Sequence, residues 1–173
     1  MIDDIEDLHR IARIYNIRVV YKDLNARDSR LEGYAWSERM LIVLDKSLIF
    51  RPVDHVCVLA EEIGHMLFPP IYDCISYHMV AFWQQDAVIR SQTKYLHSKT
   101  ERPALIWATD YLIPDEEFWE FVREGPREWW EWLERFEVAP WLMHWKIGFM
   151  RAKHNIKGRD VIKRVPPKGG FAV

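Results

Sequence analysis

This sequence is short of several things, and each shortage excludes a class of protein. Two cysteines, Cys57 and Cys74, in 173 residues are too few for a disulfide framework, which predicts a reduced, cytoplasmic protein. No apolar stretch approaches the length of a bilayer span, so no membrane is expected among its partners. The opening MIDDIEDLHRIARIY is acidic and amphipathic, without the basic start and apolar run of a signal peptide. Charge of one sign is also scarce. The formal net charge is −2, which gives no support to general polyanion binding. There is no internal repeat. What the chain does have is apolar content: 49% of its residues are hydrophobic, which argues against disorder and, at this length, supplies a substantial core. Of its nine tryptophans, Trp119, Trp129, Trp130, Trp132, Trp141 and Trp145 fall late, as a bulky aromatic layer or a docking surface would require.

Ile5, Leu8, Ile11, Ala12 and Tyr15 recur at helical spacing and predict a first helix near residues 2–15. IRVVYKDL has the β-branched content of a strand, and GYAWSERMLIVLD reads as a hairpin joined around Ser37, Glu38 and Arg39. Pro52 suits the first turn of the next helix, where Val56, Leu59, Ile63 and Leu67 make one buried stripe before Pro69 and Pro70 stop it. The segment 71–98 reads as mixed and partly helical. A helix from about Glu101 to Leu112 is closed by Pro114. PDEEFWEFVREG is a short helix, acidic at its start and stopped by Gly125, and two more follow near 126–136 and 139–153. From residue 151 onward come seven Lys or Arg against Asp160 alone. The expected organisation is one domain over residues 1–153, with a helical C-terminal part from about 115, and a basic, mobile tail over 154–173. The fold class is α+β: a small antiparallel β-meander packed on several helices.

Within VLAEEIGHML the residues Glu61-Glu62-Ile63-Gly64-His65 have the outline of the zinc-peptidase signature H-E-x-x-H with its first histidine exchanged for glutamate. Residues i and i+4 of a helix share a face, about 6 Å apart along the axis, so Glu61 and His65 can converge on one ion. Glu62 is one step round, placed to take a proton from a water beside the metal. Cys57 lies about 12 Å from His65 along the axis, too far for both to hold one ion, and is expected to be a small buried hydrophobe. A third protein ligand is needed, and Cys74, His78, His97 and Glu101 are the candidates. In zinc peptidases of this general kind a strand precedes the ligand helix, and its edge can hold a substrate chain by β-augmentation; RMLIVLD occupies that place. The bland alternative is that Glu61, Glu62 and His65 form a solvated face.

VLAEEIGH, followed by Glu101-x-x-Ala104-x-x-Trp107-Ala108 running into Leu112-Ile113-Pro114, resembles the ImmA/IrrE family of metallo-endopeptidases. GYAWSERMLIVLDKSL and LERFEVAPWLMHWKIGFMR are similar to that family's hairpin and C-terminal helices, so the resemblance covers roughly residues 5–152. It implies a zincin-like minimal metallopeptidase fold and a zinc-dependent endopeptidase of restricted specificity. On that resemblance Glu62 takes the general-base position, His65 the second zinc histidine and Glu101 the acidic third ligand. Glu61 stands where the first zinc histidine would, a variant similar to that of mobile-element repressor proteases. The implied substrate is a helix-turn-helix transcriptional repressor. The oxyanion would be held by an Arg, His or Tyr; Tyr72, Tyr77, His78, Tyr95 and His97 lie between the ligands, and nothing in the sequence selects one.

Two other readings remain. PREWWEWLERFEVAPWLMHWKIGFMR has the outline of helix, turn, helix, which could suggest DNA binding. Its second helix begins Pro140-Trp141-Leu142-Met143 and offers no bidentate base contact, so a packing or protein-docking role is expected instead. Nucleic acid then enters only as weak, non-specific contact by the basic tail. The other is a metal-binding regulator that holds its partner without cutting it.

Overall fold

Leu8 and Ala12 are buried on one side of α1 (Ile2–Ile14), as their spacing predicts. The helix closes where Asn16 turns left-handed at φ 56° and the Ile17 N–H reaches back to the Ala12 carbonyl at 2.8 Å. Ile14 and Tyr15 are left exposed beyond the buried stripe. The computed structural model of this chain describes residues 2–24, 31–69 and 102–154. Their architecture is mixed α+β, and they divide into two units between Ala108 and Thr109.

The first unit holds a three-stranded sheet of β1 (Arg18–Lys22), β2 (Gly33–Trp36) and β3 (Leu41–Asp45). β2 and β3 form the expected hairpin, with Gly33 opposite Leu44 and Trp36 opposite Leu41. A single 3-10 turn over Ser37–Arg39 joins them, closed by Met40 in the left-handed region. The sheet is not the antiparallel meander that the sequence predicts. Its order is β1-β3-β2, and β1 runs parallel to β3, from Arg18 opposite Leu41 to Lys22 opposite Asp45. The reason lies in the strands themselves. A meander would put β2 in the middle, but Gly-Tyr-Ala-Trp is only half-buried, whereas every residue of Leu-Ile-Val-Leu-Asp is buried. A continuous apolar run belongs between two neighbours, covered on both faces.

Asp45 then ends β3 and receives N–H bonds from Leu24 and Ser47, both at 2.8 Å. A 3-10 segment, Lys46–Phe50, leads into α2 (Pro52–Leu67), with Pro52 in its first turn as expected. Val56, Leu59 and Ile63 are buried. α2 packs against β2, β3 and α1, and α1 against β1.

Residues 102–112 are helical (α3). Ala104, Leu105 and Ala108 are buried on it.

In the second unit α4 (Asp115–Arg123) opens on three acidic residues and is followed by Gly125 at φ +112°. α5 (Trp129–Phe136) starts with a capping box between Glu128 and Glu131, and α6 (Pro140–His154) follows a short turn at Glu137, which is left-handed. Trp132 is fully buried, its ring 5.0 Å from Phe118 and 4.9 Å from Phe121. The aromatic layer expected from the late tryptophans is therefore present in part as core. Trp130 and Trp145 remain exposed.

Lys146 is fully buried on α6, and its ammonium meets Asp110 at 2.7 Å and Asp115 at 2.5 Å. Burial alone would push the Asp115 carboxyl up. The hydrogen bonds from Lys146 and Lys153 outweigh it and hold that carboxyl below the ordinary carboxylate range. A buried ammonium without such partners would be strongly disfavoured, so the pair of aspartates fixes where α6 can sit in this unit.

Gly148, also on α6, has nothing within 4 Å of where a β-carbon would stand. Interior helix glycine costs about 0.5–1 kcal/mol relative to alanine. Gly148→Ala should therefore raise the stability of the chain by roughly that amount. A urea titration checks it, with an unchanged or lower midpoint counting against the open space inferred at this position.

Candidate functional site

α2 brings Glu61, Glu62 and His65 together. Its apolar stripe turns one side to the sheet, and the three polar residues follow at the C-terminal end of the same helix. They do not form a solvated face: Glu62 is only 8% exposed and His65 7%, with Glu61 half-buried. Acidic and imidazole side chains are rarely buried this far unless they are paired or bind a metal. Glu61 and His65 stand one helical turn apart, and a carboxylate oxygen with an imidazole nitrogen is a donor set that zinc takes. Cys57, buried at 0% exposure, takes the place of a small hydrophobe as expected.

Two glycines that the motif reading passed over shape the surroundings. At Gly33, the first residue of β2, a β-carbon would stand 3.0 Å from Leu44 Cδ2, 3.1 Å from Val58 Cγ1 and 3.3 Å from Glu62 Cγ. The strand therefore starts directly against the Glu62 side chain, and the missing side chain leaves Glu62 its room. This also corrects the expectation for RMLIVLD. β3 is hydrogen-bonded on both sides and has no edge to offer; β2, with one neighbour in the sheet among the described residues, is the strand lying next to Glu62.

At Gly64 the approach is closer still. A β-carbon there would come within 2.6 Å of the Ala104 carbonyl oxygen, 2.9 Å of its Cα and 3.0 Å of its carbonyl carbon. α2 and α3 thus cross backbone to backbone, one residue before His65 on one helix and three residues after Glu101 on the other. A signal for this was present in the sequence. A glycine inside a long apolar helix sacrifices stability unless something approaches where its side chain would be.

Glu101, the third ligand implied by the resemblance, lies outside the described residues, as do Cys74, His78 and His97. The oxyanion candidates Tyr72, Tyr77 and Tyr95 and the basic tail from residue 155 lie outside them too. Among the described residues, no three His, Cys, Asp or Glu side chains gather around one point suited to a metal ion. Among those residues, too, no helix is long and apolar enough to cross a membrane.

The helix, turn, helix outline of the C-terminal part is present as α5 and α6. Leu142 and Met143, in the first turn of α6, are buried, which leaves those positions no reach to a base edge. Comparison with protein-family models and with curated proteins gave no match to this chain.

Proposed function

We propose that this chain is a zinc-dependent endopeptidase of restricted specificity, with a zincin-like fold similar to the ImmA/IrrE family, that acts in the cytoplasm on a helix-turn-helix repressor. The observation that carries this reading is the burial of Glu62 and His65 beside Glu61 at the point where α3 crosses α2. In it, Glu61, His65 and Glu101 hold one ion. The order of strand, hairpin and ligand helix supports the fold, and the carboxylate and imidazole donors support zinc.

Bound there, zinc would supply Lewis acidity toward a peptide carbonyl and a water. The remaining work falls to the chain. The Glu62 carboxylate accepts the proton of the attacking water and returns it to the leaving amine nitrogen as the peptide bond breaks. Gly33, at the start of β2, lies directly beside the Glu62 side chain. β2, beside Glu62, is the strand along which a substrate segment would lie extended, its backbone groups satisfied by the sheet.

The test is metal analysis of the purified protein. About one equivalent of zinc per chain is expected. A double variant, His65→Ala with Glu101→Ala, should lose it. Full retention by that variant would place the ion elsewhere, with Cys74 and His78 the next residues to change.

A further inference from the structure

Tyr21 on β1 stands between two histidines from different helices. Its hydroxyl is 3.1 Å from Nε2 of His9 on α1 and 2.9 Å from Nε2 of His55 on α2. The rings are close as well: Tyr21 meets His55 edge-on with centroids 5.5 Å apart, and His9 at 6.4 Å. One phenol oxygen therefore ties three elements of the first unit together.

Proton counting limits what this cluster can do. A phenol has one hydrogen to donate, and a neutral imidazole carries a hydrogen on only one nitrogen. With both imidazoles neutral, one Nε2 accepts the Tyr21 proton and the other donates its own, so all three groups are satisfied. With both imidazoles protonated, each Nε2 can only donate. The Tyr21 hydrogen then has no acceptor in the cluster, and two cations face each other across one oxygen.

The geometry points to a proton-sensitive clasp: His9, Tyr21 and His55 fasten α1 and α2 to β1 while the imidazoles are neutral, and release them as both become charged. The surroundings favour the neutral state. Burial lowers the His9 pKa from its ordinary value of 6.5, and Arg13, one turn along α1, adds to it. Burial also lowers the His55 pKa, and the charge of His9 lowers it further. Burial raises the Tyr21 pKa, so the phenol keeps its proton. Arg13 from α1, Tyr21 from β1 and the two imidazoles themselves are the groups that set this balance.

The sign follows from linkage. Both folded-state values lie below the unfolded one, so the unfolded chain takes up protons more readily. The stability contributed by the clasp is complete above about pH 6.5 and is lost as the pH falls below it. α2 is also the helix of Glu61, Glu62 and His65, so acid would loosen the support of that helix. The inference stands whether or not those residues bind zinc.

Ring resonances of the full chain, followed by NMR across the pH range, test it directly. His9 and His55 should both titrate below 6.5, and His9→Gln should raise the pKa of His55. Urea unfolding from about pH 7.5 to 5.5 gives the second reading. The folding equilibrium of the parent should weaken with acid more steeply than that of His9→Gln/His55→Gln, by up to about tenfold per pH unit for each of the two protons. Equal slopes in parent and double variant would overturn the clasp. So would titration of either histidine at or above its ordinary value, which the parent chain alone reveals if the variant does not fold.

Discussion

Glu62→Gln should keep its zinc and lose peptide-bond cleavage on the order of 10²- to 10⁴-fold, the range attributed to a positioned general base. Glutamine preserves the shape and the methylene group that faces Gly33, so the packing around β2 and α2 stays as it is. What it removes is the basic carboxylate that would take the proton. The measurement pairs zinc content with the rate of cleavage of a helix-turn-helix repressor, the proposed substrate. Cleavage as fast as in the parent would sink the catalytic role of Glu62. A parent that binds zinc and the repressor but cuts nothing would instead identify a regulator that holds its partner. Glu61→His is the companion change. It restores two histidines and one carboxylate, and should keep the fold and the metal with some activity retained. On the proposed ligand set, the two carboxylates would cancel the formal charge of the ion, which would make it the weaker Lewis acid and suit slow cutting on demand.

Much of the fold was legible because it rests on local periodicity. Leu8 with Ala12, Val56 with Leu59 and Ile63, and the acidic start of α4 each announce a helix through neighbours a turn apart. The hairpin around Ser37 was legible for the same reason. What stayed hidden was pairing between distant segments. β1 and β3 are separated by β2 in the chain, and alternation within a strand says which face is buried without saying which strand lies alongside or in which direction. Yet the all-apolar run Leu41 to Leu44 held the hint that β3 is central, since neither of its faces could meet water.

The site divides in the same way. Glu61, Glu62 and His65 were legible because four residues of helix fix their relation. The close packing of Glu62 was not, because it involves Gly33 from a strand about thirty positions earlier. The His9–Tyr21–His55 cluster left no trace in spacing at all: its members come from three elements, and only the folded chain puts one hydroxyl between two imidazoles.

Gly64→Ala is expected to weaken the protein even though the same exchange helps an ordinary helix. By propensity alone, alanine inside α2 would gain about 0.5–1 kcal/mol, the gain expected for Gly148→Ala on α6. At Gly64 that gain meets a contact that real β-carbons do not make, 2.6 Å from the Ala104 carbonyl oxygen, with the Ala104 Cα at 2.9 Å. These are backbone atoms, and no rotamer change can move them aside. α2 and α3 must separate, and inserting a methyl group into so close a contact costs typically 1–3 kcal/mol. The overpacking cost should exceed the propensity gain, leaving a net loss of stability. The second consequence concerns the metal. If α3 delivers Glu101 to Glu61 and His65, parting the helices stretches that ligand set, and zinc affinity should fall by roughly the 10- to 100-fold typical of lost outer support. Gly148→Ala serves as the control, expected to raise the urea midpoint and leave zinc untouched. If Gly64→Ala matched it in both readings, the close crossing of α2 and α3 would not be what holds the site together. A loss of stability with zinc affinity unchanged would keep the crossing but remove Glu101 from the ligand set.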